Sequence, residues 1–250
     1  PICWASCNKH VYDGHRSRNA FEESLLLTLR SMIPEQIQVV LLADRGFGRT
    51  ELARFCQHYH FHYVIRIQPK VKVHCNGSAK NLTEYPNHKG ICKLLKGVDY
   101  RQHDSVRQNI VIRWVRDLPS KRDECWFLMT DLQAGPAAIS NLYGQRMSIE
   151  ELFRDHKNKR NGWSLRDTRI TRPDRLDRLI LIMAIAYLLL CGLGLIGLKT
   201  CKPGQWTSSS RNDCSVFTIG KIMLDRLNHS IADIFQAVIL ATELATPNWG

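Results

Sequence analysis

The sequence predicts an α/β fold, and three observations carry the prediction. Gln38-Val-Val-Leu-Leu-Ala-Asp44 is a short apolar run, the pattern of a strand covered on both faces. Segments with helical character flank it, Asn19–Ile33 and Thr50–Tyr59, and a second strand-like run, Phe61–Ile67, follows. The chain has 250 residues, enough for one large domain or for a domain carrying an insertion.

Residues 2–13 read as a strand running into a turn at Asp13-Gly14. The helix at 19–33 shows Phe21, Leu25, Leu26 and Leu29 on one stripe, and Pro34 ends it. Asp44 stands at the carboxyl end of its strand, where open α/β sheets place their sites. Arg45-Gly-Phe-Gly-Arg49 then turns the chain, so Asp44 also reads as a turn or capping residue. Cys56, His58, His60 and His62 alternate through the next junction. A strand would put the three His on one face as a metal cluster, but a helix-to-strand change falls inside the run and no partner ligands follow at the usual spacing.

Residues 68–131 hold short β-type runs at Val71–His74, Gly90–Leu95, Asn109–Val115 and Trp126–Thr130, which predicts a β-rich insertion. After the loop Asp131–Pro136, a helix is expected from about Ala137 to Arg160, stopped by Asn161-Gly162. Trp163–Arg175 is a connector carrying Arg166, Arg169, Arg172 and Arg175, readable as a solvated loop or as phosphate contacts. Trp163 is a base-stacking or a buried residue. Leu179–Leu198 is apolar and uncharged, long enough for a membrane span and equally the composition of a helix buried on all sides. Past Pro203-Gly204, two short amphipathic helices are expected, Val216–Leu227 and Ile231–Ala241. The expected organisation is therefore 1–67, 68–131, 132–200 and 201–250.

The formal net charge of +12 and pI of about 9.4 point to a polyanionic partner. Basic residues bunch between Arg146 and Arg178, which favours a binding surface over a diffuse excess. The nine Cys include no Cys-x-x-Cys pair, against a disulfide framework or structural zinc and in favour of reduced thiols in a cytoplasm. The chain begins at Pro1 among residues that already read as strand and has no signal-like region, so it reads as a fragment; three Gly in the last third of 179–198, the one such segment, weigh against a membrane partner.

The stretch Tyr143-Gly-Gln-Arg146-Met-Ser-Ile-Glu150-Glu-Leu-Phe-Arg154-Asp-His-Lys157 holds the most chemistry. At about 100° per residue, Tyr143, Arg146, Glu150, Arg154 and Lys157 share one narrow face. Leu142, Ile149, Leu152 and Phe153 form a flank that can bury, and Glu151 points roughly 100° away from Glu150. Ion pairing on a solvated helix accounts for such a face. So does metal-dependent cutting of a phosphodiester, where a carboxylate holds a divalent ion and cations hold phosphate oxygens.

Tyr143, Arg146, Glu150 and Lys157 have the spacing of the YREK signature and resemble bacterial insertion-sequence transposases of the insertion-sequence-four type. The Leu-Leu-Ala-Asp44-Arg-Gly-Phe-Gly segment resembles the second-aspartate segment of the same enzymes. The resemblance implies a DDE enzyme with an RNase H-like, retroviral-integrase-like fold, interrupted by a β-rich insertion. It makes Asp44 and Glu150 the catalytic, metal-holding carboxylates, and Tyr143, Arg146 and Lys157 DNA-binding residues; Arg154, from its place on the same helix face, is expected to bind DNA with them. Two Mg²⁺ ions, with Mn²⁺ as substitute, are the implied cofactors. Double-stranded DNA at transposon ends and target, and a homodimer in a synaptic complex, are the implied partners. The implied setting is a bacterial cytoplasm. The resemblance puts the first aspartate on a strand upstream of residue 2, so a truncated, inactive and poorly soluble fragment is expected, with Asp13 as the one stand-in before Glu22. A catalytically dead DNA-binding remnant is the alternative reading.

Overall fold

A computed structural model describes residues 18–75, 77–86, 88–101, 104–116, 123–157, 164–200, 204, 214–227, 235–236 and 239. The strand expected at 2–13, Asp13, the helix stop at Asn161-Gly162, Trp163 and most of the helix expected at 231–241 lie outside the described residues. The chain divides into two compact units, residues 9–148 and residues 149–250 together with 1–8.

In the first unit, α1 (Arg18–Met32) leads to β1 (Val39–Ala43), α2 (Thr50–His58) and β2 (Phe61–Arg66). α2 carries Glu51 in its first turn, where the helix dipole favours an acid. β1 and β2 pair in parallel, from Val39 opposite Phe61 to Ala43 opposite Ile65. The runs expected to be strands in the insertion become β3 (Lys72–Cys75), β5 (Cys92–Tyr100), β6 (Val106–Arg116) and β7 (Asp123–Thr130). A further strand, β4 (Ser78–Asn81), pairs with β3 around Gly77, whose φ of 76° suits the turn.

These strands do not form a layer of their own. β7 pairs antiparallel with β2, and the seven strands make one sheet in the order β1-β2-β7-β6-β5-β3-β4. Among the described residues β1 and β4 are its edges. The side-chain period of two assigns each residue to a face. Phe61, Tyr63, Ile65, Ile110, Ile112, Phe127 and Met129 pack with Leu26 of α1 and with Leu52, Ala53 and Cys56 of α2. Val64, Val111 and Leu128 point the other way, where α3 (Pro136–Gly144) sets Ile139 and Tyr143 on them. The core is thus legible strand by strand as odd and even positions, although the runs are apolar throughout.

The second unit holds α4 (Ser148–Lys157), α5 (Pro173–Thr200) and α6 (Val216–Leu227). α5 and α6 meet at glycines. A Cβ on Gly194 would overlap the Val216 carbonyl oxygen, and a Cβ on Gly220 would overlap that of Leu190. Backbone-to-backbone approach of this kind requires residues without side chains. Ile219 and Met223 fill the contact from α6, with Leu198 packed against them. By length and composition α5 is a helix that can cross a bilayer. Its buried positions are Met183 and the glycine-rich segment Gly192–Gly194 with Gly197. Leu181, Ile182, Ile185 and Leu188 are exposed, so the alternative of a helix buried on all sides is met only in part.

Candidate active site

Asp44 follows the last residue of β1, next to the register position of Arg66 at the end of β2. Its backbone is extended, and its Oδ1 accepts from the Arg45 N–H at 2.7 Å, capping the short 3-10 turn Arg45–Phe47. The capping role read from the sequence is therefore real. Asp44 is nonetheless exposed, and its second oxygen makes no hydrogen bond among the described residues. That leaves it available for a hard cation, which takes carboxylate oxygens.

Residue parity brings further groups to the same sheet face. On β2 the even positions Val64 and Arg66 lie toward α3, and on β7 so do Glu124, Trp126 and Leu128. The Arg66 guanidinium meets Glu124 Oε2 at 2.6 Å and is itself largely buried, at 12% exposure. Arg45 reaches the same oxygen at 3.5 Å. Glu124 Oε1 accepts from Trp126 Nε1 at 2.8 Å. Burial alone would raise the Glu124 carboxyl, but hydrogen bonds from Arg66 and Trp126, with the charges of Arg66 and Arg45, hold it below its ordinary value.

Trp126 packs edge-on against Tyr143, ring centroids 5.1 Å apart. Tyr143 is 1% exposed, and its hydroxyl is buried. Burial raises its pKa; the Arg146 guanidinium opposes the rise, the Asp44 carboxylate adds to it, and Arg66 opposes it. Arg146 lies over the Tyr143 ring at 5.9 Å. Asp44, Tyr143 and Arg146 thus share one electrostatic neighbourhood in the first unit. Arg66, Glu124 and Trp126 belong to it too, and the sequence reading missed them. The signals were a cation ending the strand after Asp44, and an acid and an indole two apart on one strand face.

The helix expected through 137–160 is not continuous. α3 ends at Gly144, a 3-10 turn spans Gln145–Met147, and α4 starts at Ser148. Gly144 is the weakest helix former of the stretch, and the Ser148 hydroxyl bonds back to the Gln145 carbonyl at 2.6 Å. A wheel drawn from Tyr143 therefore does not run unbroken to Lys157.

Within α4 the expected stripe survives. Glu150, Arg154 and Lys157 span roughly 60° and are exposed. Lys157 Nζ sits 5.4 Å from the Phe153 ring. The buried side differs from the apolar flank read in the sequence. Asp155 and His156 are buried, while Ile149 and Phe153 stay exposed. Asp155 accepts from the Ser215 hydroxyl at 3.2 Å, and burial raises its pKa despite that bond. His156 stands edge-on to Tyr187 at 5.1 Å, Tyr187 stacks on Phe217 at 5.1 Å, and burial lowers the His156 pKa. The buried direction of α4 lies roughly opposite the Glu150 stripe, so packing on α5 and α6 presents that stripe outward.

The three His do not assemble into a metal site. His58 ends α2, His60 has a positive φ of 57°, and His62 pairs with Asp131 at 2.8 Å. Asp131 also accepts from the Tyr63 N–H at 3.0 Å, at the end of β2 remote from Arg66. Among the described residues no three His, Cys, Asp or Glu side chains form a metal-holding group. The described cysteines are unpaired. Burial pushes Cys56 up to about 12 and Cys125 and Cys191 up to about 11, so they stay protonated and unreactive at neutral pH.

No curated protein matches the chain. The family described as Transposase DDE domain matches residues 7–189, a span that includes Asp44, the Glu124 cluster and the whole of α4. The chain belongs to the transposase DDE domain family.

Proposed function

We propose that this transposase is of the insertion-sequence-four type, binding the ends of an insertion sequence as double-stranded DNA and carrying out metal-dependent cleavage and strand transfer. Asp44 and Glu150 are the carboxylates that would hold the ions, Mg²⁺ with Mn²⁺ as substitute. The donor chemistry fits: both are exposed oxygen donors, and one Asp44 oxygen is uncommitted among the described residues. When bound, such ions supply Lewis-acid stabilisation of phosphodiester oxygens.

The chain's own residues position and neutralise. Arg146 in the first unit and Arg154 and Lys157 on α4 contact backbone phosphates, which fix DNA without reading sequence. Tyr143 is buried to 1%, so its ring is the platform beneath Arg146 and its hydroxyl reaches DNA only by a local shift. Asp44 keeps its orientation through the Arg45 N–H. The carrying observation is the convergence of Asp44, Arg66, Tyr143 and Arg146 on one sheet face at the carboxyl end of β1 and β2. A homodimer working in a synaptic complex, in a bacterial cytoplasm that keeps the cysteines reduced, completes the reading.

Nicking of supercoiled DNA with Mg²⁺ by the full-length transposase, beside an EDTA control and the Asp44→Asn and Glu150→Gln variants, tests it. Metal-dependent nicking lost in both variants is the expected result. DNA binding with no nicking under any divalent ion would refute the catalytic part and favour a DNA-binding remnant.

A further inference from the structure

We propose that Glu124 is a positioning residue for DNA binding: from the last strand of the insertion it clamps Arg66, Arg45 and Trp126, and through them fixes Arg146 and its Tyr143 platform beside Asp44. This rests on the phosphate-binding role given above to Arg146.

Both carboxylate oxygens of Glu124 are occupied. Oε2 takes Arg66 at 2.6 Å and Arg45 at 3.5 Å, and Oε1 takes the Trp126 indole at 2.8 Å. Each partner leads back to the candidate site. Arg45 is the residue after Asp44, and its N–H holds the Asp44 side chain. Arg66 lies beside Asp44 at the end of the parallel pair and is felt electrostatically by Tyr143. Trp126 is the wall against which Tyr143 packs, and Tyr143 carries Arg146 over its ring. A hydrogen-bonded carboxylate with three donors on three elements restricts all of them at once. Pre-set cations lose less freedom when a phosphate arrives than cations that must first be ordered.

The sign of the effect separates positioning from plain charge. Removing an acid beside a polyanion strengthens binding through the general field. Removing a positioning acid weakens it. Glu124→Gln keeps the size and an acceptor for Trp126 while removing the charge that binds two guanidiniums.

The test is fluorescence anisotropy of the full chain with a labelled 30-base-pair duplex of arbitrary sequence, repeated over a salt series. Thermal melting of each protein is read alongside. For Glu124→Gln we expect affinity about tenfold lower and a shallower log–log salt slope, by about 0.9 for each phosphate no longer neutralised. A loss of folded material would lower the active fraction but leave the slope unchanged. Equal or tighter binding with an unchanged slope would overturn the inference. If Arg146→Ala weakens binding and flattens the slope while Glu124→Gln does neither, the phosphate reading stands and only the role of Glu124 fails. If the parent chain does not bind the duplex, the DNA reading fails and takes this inference with it.

Discussion

Replacing Gly220 by Ala should destabilise the second unit, against the usual effect of that change in a helix. In an open helical position, Gly→Ala gains about 1 kcal/mol. At Gly220 the added Cβ would overlap the Leu190 carbonyl oxygen, with the carbonyl carbon at only 2.7 Å and the Gly194 nitrogen at 3.0 Å. All three obstacles are backbone atoms, so no rotamer change relieves them. α6 must move from α5 by more than about half an ångström, and a gap of that size forfeits about a quarter or more of the attraction between facing atoms. The Ile219 and Met223 cluster lies directly along this seam. Overpacking costs about 1–3 kcal/mol, and rigid obstacles put this case near the upper end. Net of propensity, a loss of about 2 kcal/mol follows, or about 8–16 °C in the midpoint of a unit of about 100 residues. Gly144→Ala is the matched control, because Gly144 has a helical φ of −55° and nothing within 4 Å of an added Cβ. Differential scanning calorimetry of both variants checks the prediction. A midpoint for Gly220→Ala at or above the parent would refute the close approach of α5 and α6.

In the full-length transposase, Glu150→Gln on α4 should abolish metal-dependent nicking while Glu151→Gln, about 100° around the helix, leaves most of it; the opposite ranking would reassign the acid. Arg146→Ala and Lys157→Ala should each flatten the salt dependence of duplex binding by about 0.9, and an unchanged slope in both would show that neither touches phosphate. The pH dependence of stability is set partly by His156, whose folded pKa burial lowers below 6.5. Below that value the unfolded chain binds more protons at this site, so stability falls as pH drops. Asp155 opposes it, because its raised folded pKa makes protonation favourable to the folded form as pH falls. His156→Phe, which retains a ring against Tyr187, should therefore flatten the loss of melting temperature between about pH 7 and pH 5. A slope equal to the parent's would assign that loss to another group.

The parts of the fold that follow from local pattern were legible in the sequence. β1 with its terminal Asp44, α2 from Thr50 and β2 from Phe61 stand where apolar runs and the Gly-containing turn put them. β4 was not seen because Ser78-Ala-Lys-Asn81 has no apolar face; it is a strand through pairing with β3, and the Asn76-Gly77 dipeptide was its one signal. The break at Gln145–Met147 was invisible to a search for Pro, since Gly144 and the Ser148 back-bond act without one. On α4, hydrophobicity misjudged which side is covered, because Asp155 and His156 find partners in Ser215, 60 residues on, and in Tyr187. Glu124 was missed for a similar reason: its meaning lies in Arg66, on a strand 58 residues earlier.

The joining of β3–β7 to the β1–β2 pair in one sheet limits how such a chain can vary in length. β7 is the neighbour of β2, and β7 brings Glu124 and Trp126 to the Asp44 end of the sheet. Excising residues 68–131 would strip β2 of a hydrogen-bonded partner and remove one wall of the candidate site in the same stroke. The strands therefore behave as masonry rather than as a detachable cassette. Freedom to lengthen or shorten belongs at the far margin, in the β3–β4 hairpin, where β4 pairs with β3 alone. Natural variants of this architecture should differ in size there while β6 and β7 keep their register.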